Sequence, residues 1–224
     1  MSRLGVVVGY RAEARCLTGS GLRVLCSGVD PERARTAAAR LCDQRVAGLV
    51  SFGLAGGLVA DLAPGDLLLP QGVILPEGGR IMVEPAWRAR LAATLERVGL
   101  HARSEAIAGS EHIVATRAAK RALLAQTGAV AVDMESHRVA EVALRARLPF
   151  LVVRAVADHS DQVVPRAALD AIDANGDVRH LALLGRLVAR PWELWPVLEL
   201  GRSNSQGLAT LGRVALLVPG LGFA

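Results

Sequence analysis

Acidic residues stand at the ends of two apolar runs. In Phe150-Leu-Val-Val-Arg-Ala-Val-Ala-Asp158-His-Ser-Asp161, a β-branched run closes on two carboxylates. In Val130-Ala-Val-Asp-Met-Glu-Ser136, strand alternation sets Asp133 and Glu135 on one side of the chain and Met134 on the other. A carboxyl group at the end of a buried strand can trade protons near neutral pH, because burial raises its pKa. The same positions are where a carboxylate caps or opens a helix, and either segment alone admits that reading. A third segment, Ser51-Phe-Gly-Leu-Ala-Gly-Gly57, could aim backbone N–H groups at an anion, or make a tight strand-to-helix turn.

The surrounding elements explain why these segments converge. Residues 4–8 form a short apolar strand ending at Gly9, and a helix follows over 12–17. Residues 22–27 read as a second strand, and Pro31 opens a helix to about Asp43. A third strand over 46–54 runs into the glycine segment. Strands at 66–69 and 72–75 flank Pro70, a helix spans 84–98, and a strand spans 101–108. Thr116 is an N-cap for a helix to Thr127, and strand 130–132, helix 135–147 and strand 150–156 follow. This alternation implies an α/β fold: a single domain of three αβα layers around a mixed, mostly parallel central sheet. Ligands of such sheets bind at the carboxyl ends of the strands, where Glu13, residues 53–57, 110–112, 133–135 and 158–161 fall.

Composition narrows the function classes. The 224 residues are 52% hydrophobic and only 3% aromatic, so one core of Ala, Val, Leu and Ile is expected. The net charge of +5 comes from scattered Arg residues in helical stretches. There is no basic block and no interleaving of aromatics, which argues against nucleic acid as a partner. Cys16, Cys26 and Cys42 form an odd set without CxxC spacing, as expected of free thiols in a reducing cytosol, and no His/Cys cluster has metal-ligand spacing. A cytoplasmic protein with no metal and no cofactor is the expectation.

Taken together, GLAGGL, GSEHI, VDMES and RAVADHSD resemble, in order and spacing, the purine nucleoside phosphorylase and methylthioadenosine/adenosylhomocysteine nucleosidase superfamily. The resemblance covers roughly residues 4–169. It implies that Asp158 hydrogen-bonds N7 of the purine and protonates it as the glycosidic bond breaks. It implies that Met134 packs on the ribose and that Glu135 accepts from its hydroxyls. His112 would lie along the adenine, and the Ile113 backbone would pair with its edge. The family is commonly oligomeric, so a homo-oligomer is expected.

The attacking group is where the chain departs from its relatives. Nucleosidases carry a water-positioning Glu after the first strand; aligned on Gly9 it falls at Ala14, one residue beyond Glu13. Bacterial purine phosphorylases place phosphate-binding arginines near Glu13 and Ser51, and neither is present here. The usual Ser of the glycine segment is Leu54. Two arrangements remain: inorganic phosphate as co-substrate, seated at Gly9, Gly53, Leu54, Ala55 and Gly56 with Arg11 or Arg15, or water activated by Glu13. The loss of the aligned Glu favours phosphate.

Within the superfamily the chain looks most like the hopanoid-associated phosphorylase, through SFGLAGGL, GSEHIVAT, VDMESHRVAEVA and RAVADHSDQVVP. That branch implies phosphorolytic release of adenine from adenosylhopane, a lipid-linked adenosylated substrate. Hydrolysis of methylthioadenosine or adenosylhomocysteine, and non-catalytic nucleoside or lipid binding, are the alternatives. The chain divides into an α/β domain over 1–177 and an apolar helical segment over 178–224. The latter contains Trp192 and Trp195 interrupted by Arg and Pro, so packing on the domain is expected for 178–190 and peripheral membrane or lipid contact for 191–224.

Overall fold

The computed structural model describes residues 4–171 and 179–217. The expected domain boundary near residue 177 and the last residues of the apolar segment, 218–224, lie outside the described residues. The chain begins with β1 (Gly5–Val8), α1 (Arg11–Cys16), β2 (Arg23–Cys26), α2 (Pro31–Asp43) and β3 (Leu49–Gly57). Then come β4 (Leu67–Leu68), β5 (Gly72–Ile74), β6 (Arg80–Met82), α3 (Pro85–Arg97), β7 (Ala102–Arg103) and β8 (Ile107–Gly109). The second half contains α4 (Arg117–Thr127), β9 (Ala131–Asp133), α5 (Ser136–Ala146), β10 (Phe150–Asp158) and α6 (Arg166–Leu169). Helix α7 (His180–Ala189), a 3-10 turn (Pro191–Glu193) and α8 (Leu194–Ala215) complete it.

One mixed sheet carries these strands in the order β6-β5-β8-β9-β3-β10-β4-β7, with β1 and β2 joined to β3. Strands β2, β1, β3 and β10 run parallel, as do β9, β8 and β5. Antiparallel joints occur where β9 meets Gly56 and Gly57, where β4 meets β10, and where β6 meets β5. The central strands are apolar on both faces because helices cover both: Val6, Val7, Leu49, Val50, Phe52, Leu151, Val152 and Val153 are all buried. Local signals act as expected at several ends. Asp30 accepts from Arg33 N–H at the start of α2, Pro31 occupies its first position, and Thr116 accepts from Ala119 N–H to cap α4.

The strand expected over 101–108 is two strands on different neighbours. Chain 102–103 pairs with β4, and 107–109 pairs with β5 and β9. Between them Glu105 folds back onto Ser104 N–H and Arg103, which breaks the ladder. The glycine segment also differs from the strand-to-helix turn weighed above. It is the last half of β3, held by β10 on one side and β9 on the other.

Part of the C-terminal segment packs on the domain: Ser203, Gly207, Leu211, Val214 and Ala215 of α8 are buried there. Gly207 makes the approach possible: a Cβ there would sit 2.6 Å from Leu54 Cδ2 and 3.0 Å from the Val156 carbonyl oxygen. Exposed apolar residues lie earlier, at Leu184, Val188, Trp192, Leu194, Trp195 and Leu198, and Leu216 is exposed just after α8. No helix among the described residues is long and apolar enough to cross a membrane.

Candidate active site

The carboxyl ends of the central strands open into a pocket. Its polar walls are Glu13, Asp133, Glu135, Asp158, Tyr10 and Asn204. Met134, His112 and Ile113 line it as well, the last two at the exposed rim. The nucleobase and sugar residues implied by the resemblance therefore share one cavity with both carboxylates of interest.

Glu13 enters through the start of α1. It is the third residue of the helix, and from there its side chain folds back over the helix N-terminus. Oε2 accepts from the N–H groups of Gly9 (2.8 Å) and Tyr10 (2.9 Å), and Oε1 accepts from Leu54 N–H (2.8 Å). Three donors fix both oxygens in a buried site. Burial raises its pKa, and the Arg154 charge and these N–H bonds act the other way. The one-residue offset from the family pattern is thus overcome by helix geometry: Glu13, not residue 14, reaches the pocket.

The same geometry engages parts of the glycine segment within the fold. Leu54 N–H is already taken by Glu13, and Gly56 and Gly57 pair with β9. Gly53 and Gly56 are small because side chains occupy the space a Cβ would need. Glu13 Oε1 would be 2.7 Å from a Cβ at Gly53, and Asp158 Oδ1 3.0 Å from one at Gly56. Leu54, Ala55 and Gly56 line the pocket, Gly9 lies behind Glu13, and Arg11 is exposed at the start of α1.

Beneath the pocket lies Arg154, in the middle of β10 and fully buried. Its Nη2 donates to Ser51 Oγ (2.7 Å), Ser136 Oγ (3.1 Å) and Glu135 Oε2 (3.2 Å), and pairs with Asp133. Asp133, the last residue of β9, also accepts the N–H of Ser136, the first residue of α5, as well as neutralising the arginine. Glu135 is pushed up to about 8 by burial, opposed by Arg154 and reinforced by the nearby Asp133 and Glu13 charges. A Glu at that pKa carries a proton through much of the neutral range.

Asp158 ends β10 and caps no helix. Its Oδ2 is bonded to Lys120 Nζ, which also donates to the His159 carbonyl (2.6 Å). Burial raises the pKa of Asp158, and the lysine charge and hydrogen bond act in the opposite direction. The neighbouring His159 ring turns away, with Nδ1 against the Leu62 carbonyl (3.2 Å). His137 also points away from the pocket, bonded to Glu111 (2.8 Å). Asp161 is exposed.

Sequence reasoning missed Arg154, Lys120, Tyr10 and Ser51. Two signals could have found the cations. A charged residue inside the run Phe150-Leu-Val-Val-Arg-Ala-Val needs buried partners, and strand-end carboxylates are the ones within reach. Lys120 is the chain's single lysine against 25 arginines, and it is the one buried residue of α4.

A sequence profile described as "Phosphorylase superfamily" matches residues 8–189. Among solved structures, the chain is similar to 5′-methylthioadenosine/S-adenosylhomocysteine nucleosidase from Neisseria meningitidis in complex with methylthio-immucillin-A (TM-score 0.73, 14% identity, covering 98% of this chain and 100% of that one). It is similar to futalosine hydrolase of Helicobacter pylori (TM-score 0.71, 16% identity, 96% and 97% covered). It is also similar to the Helicobacter pylori 5′-methylthioadenosine/S-adenosyl homocysteine nucleosidase (TM-score 0.68, 19% identity, 84% and 98% covered). No curated protein sequence matches.

Proposed function

Because this chain belongs to the phosphorylase superfamily, we propose that it cleaves the N-glycosidic bond of an adenine nucleoside, with water as the attacking group. The observation that carries the choice of water is Glu13, buried at the pocket wall with both oxygens held by Gly9, Tyr10 and Leu54 N–H groups. Such a carboxylate is oriented to take a proton from a water beside the sugar. Phosphate would need the Leu54 donor that Glu13 already uses.

In this reading the C1′–N9 bond breaks with its electron pair passing to the purine, and Asp158 supplies a proton at N7. The water oxygen bonds C1′ while Glu13 takes its proton. Glu135 hydrogen-bonds the ribose hydroxyls, and Met134 packs on the sugar. His112 and Ile113 border the base.

The rest of the lining is apolar, including Val29, Val114, Val164, Leu169 and Leu200, which supports an apolar substituent on the sugar. Helix α8 carries Leu200 in the pocket and Trp195 and Leu198 on its exposed side. An adenosylated lipid such as adenosylhopane, met at the cytoplasmic membrane surface by a homo-oligomer, is the substrate and setting this supports. Adenine release from adenosylhopane and from methylthioadenosine, with and without phosphate, tests the reading. Equal release without phosphate is expected, with the lipid preferred. Release that requires phosphate restores phosphorolysis, and no release from either substrate overturns the assignment.

A further inference from the structure

We infer that Lys120 and Asp158 form a single proton-holding dyad, in which the lysine ammonium reloads the acid that protonates the leaving base. The inference rests on the proposed glycosidic cleavage, and it adds a positioning residue on α4 to that reaction.

Three observations carry it. The first is the division of labour at the carboxyl group. Oδ2 is bonded to Lys120, whereas Oδ1 lies beside Gly56 at the pocket wall, 3.0 Å from where a Cβ would be. The carboxyl also takes a Gly57 backbone hydrogen bond, and it lines the pocket while Oδ2 is joined to a proton source. The second is burial: Lys120 is 1% exposed, and among the described residues its other hydrogen-bond partner is the His159 carbonyl (2.6 Å). A buried ammonium held by a carboxylate and a carbonyl is fixed in position, with its protons aimed at the acid.

The third is residue choice. The chain uses arginine at 25 basic positions and lysine only here. A guanidinium holds its charge throughout the working pH range and cannot hand over a proton, whereas an amine can. The one site where a cation touches the candidate acid is the one site that carries the transferable type.

The proton count balances. As the C1′–N9 bond breaks, a proton passes from the Asp158 carboxyl to N7, and the ammonium returns one to the carboxylate. The neutral amine is reprotonated through Asp158 once the pocket empties to solvent. The other titratable groups near the dyad are Tyr10, which burial holds neutral, and His159, whose ring is tied to Leu62; Glu13 and Glu135 share the pocket. Arg117 and Asp161 lie outside, the arginine bonded to the Asp161 carbonyl.

The unique lysine permits a test that does not depend on turnover. Labelling with [ζ-15N]lysine places one side-chain amine signal in the full-length protein. Its 15N chemical shift should move in Asp158→Asn, which removes the carboxylate bonded to Nζ. An unchanged signal overturns the dyad whether or not the protein turns over a nucleoside. The second arm is the pH profile of kcat/KM for adenine release. Lys120→Met should move the alkaline limb up by about one pH unit or more, because the lysine charge and hydrogen bond hold the Asp158 pKa down. Lys120→Arg should keep the charge yet lose about tenfold or more in rate. A uniform loss in Lys120→Met with the limb in place, or full activity in Lys120→Arg, overturns proton transfer and leaves the lysine a structural counter-ion. Absence of adenine release from the unaltered protein, with the NMR coupling intact, refutes the cleavage reading and not the dyad.

Discussion

Glu13 Oε1 accepts the Leu54 N–H at 2.8 Å, joining the start of α1 to the glycine half of β3 across 41 residues. The bond closes the wall of the pocket and holds a carboxylate there. Glu13→Gln keeps the size and part of the hydrogen bonding but cannot accept a proton. Adenine release by this variant is expected to fall by about 10²–10⁴-fold. Near-normal turnover in a folded Gln variant would remove Glu13 from the reaction.

Asp158→Asn removes the acid without changing its shape. A comparable loss of about 10²–10⁴-fold is expected for nucleosides whose base must be protonated to leave. Substrates with an activated leaving group, such as a nitrophenyl riboside, should lose much less. Equal losses on both kinds of substrate would show that Asp158 does something other than supply a proton.

Arg154 neutralises Asp133 and Glu135 at the floor of the pocket, with Ser51 and Ser136 completing its contacts. Arg154→Met leaves these carboxylates buried without a counter-charge. Breaking a buried ion pair from one side costs about 3–5 kcal/mol, so the midpoint of urea unfolding should fall sharply. A variant with the midpoint of the parent would mean that the acids take up protons at no cost to the fold.

Stability should depend on pH through Glu135. Its folded pKa of about 8 lies above the ordinary carboxylate value, so the folded protein binds a proton that the unfolded chain has released. The resulting stabilisation is complete below the unfolded value of about 4.5 and is lost as pH rises through about 8. Glu13 and Asp158, also raised by burial, act in the same direction. Melting temperature is expected to decline from pH 6 to pH 9, and Glu135→Gln should flatten that decline. A steeper decline in the Gln variant would reverse the sign assigned here.

Gly207 lets α8 approach β10 and Leu54. An Ala there puts a methyl group 2.6 Å from Leu54 Cδ2 and 3.0 Å from the Val156 carbonyl oxygen, and overpacking of this kind costs about 1–3 kcal/mol. Because Leu54 also lines the pocket, Gly207→Ala should raise KM as well as lower the melting temperature. Unchanged values of both would detach α8 from the site.

Much of this architecture was legible along the chain. The α2 bounds at Pro31 and Asp43, the Thr116 cap, the alternation of strands and helices and the placing of Asp158, Glu135 and Met134 at strand ends all follow from local periodicity and capping chemistry, which depend on residues a few positions apart. The four motifs also carried the family. Tertiary structure alone decided what faces what. Lys120 meets Asp158 across 38 residues, Arg154 meets Ser51 across 103, and Glu13 reaches Leu54 although its position misses the family pattern by one. Helix α8 is a wall of the domain because Ser203, Gly207, Leu211, Val214 and Ala215 share one face, and Gly207 lets that face meet Val156 and Leu54. Such contacts depend on how the sheet brings distant segments together, and charge pairing within a buried pocket depends on that arrangement rather than on spacing along the chain.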